Sequence, residues 1–153
     1  MTERAIAPGS GARVRRAYSL YLLIAAVTVV LVLVIVVGSA LAATEGGPLL
    51  TVVFGATAAI IASLLLVASL LRGRAAVAAD TLSVPAMRSS GALARAAQVA
   101  GCAGAAGALI LGFLQHLSDI ELAFTIGVVT ATCAAVPAVL SGAARRLCRR
   151  LTQ

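Results

Sequence analysis

The chain has 153 residues, of which 61% are hydrophobic and only 11% charged, and its net charge is +7. The apolar residues fall in four long runs rather than on one face of each element, which excludes a water-soluble globular fold. All twelve basic residues are arginines outside those runs, so the positive charge points to anionic lipid headgroups and not to nucleic acid.

Residues 1–16 form a basic tail with Arg4, Arg13, Arg15 and Arg16. The run that follows, 18–43, exceeds the roughly 20 apolar residues that a helix needs to cross a bilayer core of about 30 Å. It ends in "SALAA" (39–43), an Ala-x-Ala pattern that a signal peptidase could cut after Ala42. A signal-peptide core is shorter, about 7–15 residues, so an uncleaved anchor is expected. Cleavage would leave three spans with their orientations unchanged.

"TEGGP" (44–48) reads as a tight connection. Gly46 or Gly47 suits a left-handed helix end, and Pro48 suits the first turn of the next helix. The second span, 48–71, carries Gly55, Ala59 and Ser63 at intervals of four. Small residues at that spacing let helix backbones approach closely, which is a main route to helix association in lipid. These positions are therefore candidate packing faces.

The segment 72–95 holds Arg72, Arg74, Arg88 and Arg95 against a single acid, Asp80. It reads as an interfacial loop in which Pro85 opens a short helix and Ser89 or Ser90 caps the third span. That span, 96–117, repeats the small-residue pattern with Gly104, Ala108 and Gly112, and with Gly101 and Ala105 on an adjoining strip.

"HLSDIE" (116–121) contains the one histidine of the chain, His116, with Asp119 and Glu121. Ser118 and Glu121 make the Ser-x-x-Glu pattern of a capping box ahead of an apolar run. Both carboxylates then sit where a helix dipole favours negative charge. The alternative is a small polar or metal site, but one imidazole beside hard carboxylates falls short of a usual zinc ligand set. No metal and no cofactor is expected.

The fourth span, 120–140, contains Thr125, Thr130, Thr132, Cys133 and Pro137. Proline removes a backbone hydrogen bond, so a kink near Cys133 is expected. The tail 143–153 carries Arg145, Arg146, Arg149 and Arg150. Drawn as a helix, it sets Leu140, Ala144, Leu147 and Leu151 on one face beside the arginines, an interfacial anchor. Cys148, among those arginines, is the thiol expected to be most reactive.

The expected fold is an all-α bundle of four transmembrane helices, built from two hairpins over residues 17–142. Arginines cluster in the tail, the segment 72–95 and the C-terminus, three segments that a four-span chain puts on one side. Both termini are therefore expected in the cytoplasm, since basic residues are retained there. Headgroup contacts are expected from Arg13, Arg15, Arg16, Arg72, Arg74, Arg145, Arg146, Arg149 and Arg150. Arginine without lysine in an alanine- and valine-rich chain is associated with GC-rich bacterial genomes, and so with a bacterial inner membrane.

Function is bounded by what the spans lack. Ion paths and proton relays normally carry ionisable residues inside the membrane, and the central part of every run has none. No nucleophile set and no phosphate loop is present, so an enzyme is not expected. Two readings remain: an accessory, assembly or regulatory subunit that packs against another membrane protein, or a self-assembling pore former of holin-like or small-transporter type.

Overall fold

The computed structural model describes residues 3–5, 10–43, 49–77, 81–115 and 120–152. Four long helices dominate it: α1 (Ser10–Ala43), α2 (Leu49–Ala75), α3 (Val84–Gln115) and α4 (Ile120–Thr152). Each contains a stretch long and apolar enough to cross a membrane, as four runs of bilayer length require. The chain is a multi-pass membrane protein on that ground.

The helices run past the apolar stretches that announce them. α1 starts at Ser10, α2 continues to Ala75, and α3 begins at Val84 inside the segment expected to be loop. Alanine, leucine and arginine are all strong helix formers, so charge alone gives the helix no reason to stop. Burial then holds the added turns, because Met87, Ser90 and Ala94 are all buried. Pro85 is the second residue of α3, where its missing N–H would be unpaired in any case. Ser89 and Ser90 do not cap the helix but lie within it, and Ser89 Oγ donates to the Ala86 carbonyl at 2.8 Å. Pro137 lies inside α4, which continues to Thr152.

Two short strands were not expected. β1 (Glu3–Ala5) pairs antiparallel with β2 (Thr81–Ser83), setting Arg4 opposite Leu82. Three-residue strands are too short to show a period of two. The turn between α2 and β2 is closed by the Ser83 N–H, which donates to the Ala76 carbonyl at 2.9 Å, and by the buried pair Val77 and Leu82.

α3 is the central helix, with its broadest contacts to α4 and then to α2. α2 also touches α1 and α4, while α1 and α4 meet only slightly. The start of α1, the end of α2, the start of α3 and the end of α4 converge in one buried cluster that includes Tyr18, Leu70, Met87, Ala94, Ala144 and Cys148. A second and smaller cluster joins Val32, Ala59, Cys133 and Ala134.

Candidate functional site

The small residues singled out in the second and third spans lie where α2, α3 and α4 come closest. A β-carbon placed on Gly55 would stand 3.0 Å from Thr130 Cβ and 3.3 Å from Ala108 Cβ. On Gly101 it would stand 2.6 Å from the Ala134 carbonyl oxygen and 2.8 Å from Ala138 Cβ, and on Gly104 it would collide with Ala58. Ala59 and Ala108 are fully buried. Gly112 faces Gly127, with its Cα 4.0 Å from where a β-carbon on Gly127 would be. Backbone contact of this kind gives many van der Waals neighbours without bulky side chains.

Hydroxyls in this region are mostly satisfied inside their own helices. Thr28, Thr57, Thr130 and Thr132 each donate to the carbonyl four residues back, at 2.7–2.8 Å. Such back-bonding lets a polar side chain stay in lipid without a partner helix. Ser141 Oγ likewise donates to the Pro137 carbonyl at 2.6 Å. Ser63 differs: its Oγ is buried and, among the described residues, has no hydrogen-bond partner.

The arginine-bearing end is built differently. The Tyr18 ring lies over Gly73, where a β-carbon would stand 2.5 Å from its Cε1. Its hydroxyl donates to Met87 Sδ at 3.3 Å and lies 3.3 Å from Cys148 Sγ. Cys148 Sγ is also 3.6 Å from Ser90 Oγ. Ser90 and Ser69 exchange bonds, each hydroxyl donating to the other's backbone carbonyl at 2.8 Å. One polar chain therefore ties α1, α2, α3 and α4 together. Cys148 belongs to this packed interior and is only 4% exposed, so burial removes the access that a reactive thiol needs.

Outside that network lies a cleft of about 340 Å³ between α3 and α4, lined by Met87, Arg88, Gly91, Ala92, Arg95, Arg145, Cys148 and Arg149. Helical spacing explains it. Residues 88, 91, 92 and 95 share one face of α3, and 145, 148 and 149 share one face of α4. Gly91 and Ala92 keep the floor low between two arginines, while Cys148 and Met87 form its back wall against Tyr18. Among the described residues, the lining holds four arginines and no carboxylate. A second cavity shares Arg95 and Arg145 and continues along Gln98, Val99, Cys102 and Ala103.

Of the arginines expected at headgroups, Arg145 and Arg149 line this cleft, and Arg15 and Arg74 line a separate cavity with Leu71, Ala75 and Val77. Arg13, Arg16, Arg72, Arg146 and Arg150 are exposed on their helices. Arg88 and Arg95 were not among the expected contacts. Their seven-residue spacing with Gly91 and Ala92 between them was the available signal, and it has meaning only once α3 is known to start before Arg88.

His116, Ser118 and Asp119 lie outside the described residues, as does "TEGGP"; Glu121 is in α4, with its side chain outside them. Among the described residues, no group of three His, Cys, Asp or Glu side chains is placed to hold a metal. No protein-family model matches the chain, and no curated protein or solved structure matches it.

Proposed function

We propose that the chain is a non-catalytic multi-pass membrane protein that serves as an accessory, assembly or regulatory subunit of a larger complex. Its two helical hairpins lie in a bacterial inner membrane with both termini in the cytoplasm, the orientation that three arginine-rich segments favour.

One observation carries the subunit reading, the unequal packing of α1. Only 17% of its most apolar stretch is buried, against 44% for α4. α1 buries Tyr18, Ala25 and Val32 but few other side chains, and between it and α4 lies an apolar cavity of about 310 Å³ lined by Leu31, Val32, Ile35, Val128, Thr132 and Val136, among others. α2, α3 and α4 already satisfy one another through their small residues, so the face that a second transmembrane helix would complete is the one between α1 and α4.

The test is extraction of the tagged protein from its native membrane in mild detergent, with mass determination of the intact assembly. A foreign membrane subunit in fixed ratio is the expected result, and Leu31→Trp with Val136→Trp should release it. A homo-oligomer with no other chain, together with ion leakage from liposomes, would overturn the reading and favour a pore former.

A further inference from the structure

We propose that the arginine cleft between α3 and α4 is a specific site for one anionic phospholipid, whose phosphate is held by Arg88, Arg95, Arg145 and Arg149 and whose acyl chain follows the groove past Val99 and Ala103. The inference rests on membrane embedding alone and does not depend on a partner subunit.

Three features point to a phosphate-bearing ligand and a fourth to a lipid. First, the guanidinium groups converge from two helices on one cavity whose described lining carries no acid. Like charges gathered on one cavity give it a positive potential that attracts an anion, and the planar fork of arginine suits phosphate oxygens. Second, the floor is fixed rather than adaptable. Gly91 and Ala92 offer no side chain that could fill the space, and Met87 and Cys148 are held from behind by the Tyr18 hydroxyl. Third, the volume is near the lower bound for small-molecule sites.

The lipid is indicated by continuity. Arg95 and Arg145 also line the second cavity, which runs on to Val99 and Ala103. The eight steps from Arg95 to Ala103 span about 12 Å along a helix, so the groove leads away from the charged end and into the apolar belt. A free phosphate would use only the first cavity. An amphiphile uses both, and basic pockets between helices at a membrane surface are a known way to bind anionic headgroups.

The full-length protein, purified in neutral detergent, is titrated with phosphatidylglycerol, phosphatidylcholine or inorganic phosphate, and bound molecules are counted by native mass spectrometry. One phosphatidylglycerol should bind at least about tenfold more tightly than phosphatidylcholine, with inorganic phosphate a poor competitor. The variant Arg88→Gln/Arg95→Gln/Arg145→Gln should lose at least about tenfold in that affinity, whereas Arg13→Gln/Arg16→Gln/Arg72→Gln, with the same loss of charge from exposed positions, should stay within about twofold. Ala92→Glu keeps every arginine and supplies a carboxylate to the cleft from an exposed position, so it should also expel the lipid. Circular dichroism and gel filtration verify the fold of each variant. Equal binding of the two lipids, equal losses in the two triple variants, or an unaffected Ala92→Glu would overturn the site. Displacement of the lipid by equimolar phosphate would reassign it to a free anion. Because the titration uses the isolated chain, its outcome is separate from the search for a partner.

Discussion

The two ends of the packed interior solve the same problem by opposite means. Where Gly55, Gly101 and Gly104 face the neighbouring helices, side chains are almost absent and backbones touch. Near the arginines, the largest buried side chain, Tyr18, spans the gap between four helix ends, and its hydroxyl meets two sulfur atoms, those of Met87 and Cys148. The difference follows the solvent. Lipid gives apolar side chains little reason to leave it, so contact must come from close approach. At the headgroup level water is nearby, and burying an aromatic ring regains a hydrophobic driving force.

Three measurements would break or sharpen that contrast. The largest effect is expected from Tyr18→Ala, which empties the space over Gly73 and unties four helix ends at once. A loss of about 3–5 kcal/mol is the usual range for truncating a large buried aromatic, read by thermal unfolding in detergent. Tyr18→Phe separates the ring from the hydroxyl and should cost about 1 kcal/mol or less, because sulfur partners form weak hydrogen bonds.

Gly101→Ala comes next, at about 1–3 kcal/mol, since the added carbon meets the Ala134 carbonyl oxygen, which has no rotamer with which to retreat. Its control is Gly142→Ala. There the nearest atom is Gln98 Nε2 at 3.6 Å, so the change should be neutral or stabilise by up to about 1 kcal/mol through helix propensity. If both glycines respond alike, close approach is not what holds α3 against α4.

The smallest effect belongs to Ser90→Ala. It removes one of the two reciprocal bonds with Ser69 and should cost about 0.6 kcal/mol, the typical value for a hydrogen bond between membrane helices. The double variant with Ser69→Ala should cost less than twice that if the two bonds share a single geometry.

The sequence made the four spans plain, because an apolar run of bilayer length has few other readings. It was silent on where the helices end, since the arginine-rich turns carry the same helix formers as the spans. That gap hid the candidate cleft. Read as loop, Arg88 and Arg95 are two charges in a polar segment, and only as helix do they share a face two turns apart. The packing stripes could be written down from spacing alone, but Gly73 could not, because its reason is the ring of Tyr18, far away in the chain. β1 and β2 had no legible pattern at three residues each.

The seat of Tyr18 has a consequence for how the chain is made. Its walls come from Gly73, Met87 and Cys148, and the contact with Cys148 closes a separation of 130 residues. The seat of Tyr18 is therefore complete only once α4 has been synthesised as far as Cys148. Until then Tyr18 has only its walls from α2 and α3, and contacts of such long range form late because their loop must close first. A nascent chain stalled before Cys148 should leave Tyr18 between Gly73 and Met87 alone, and synthesis of the end of α4 adds the contact that joins α1 to it.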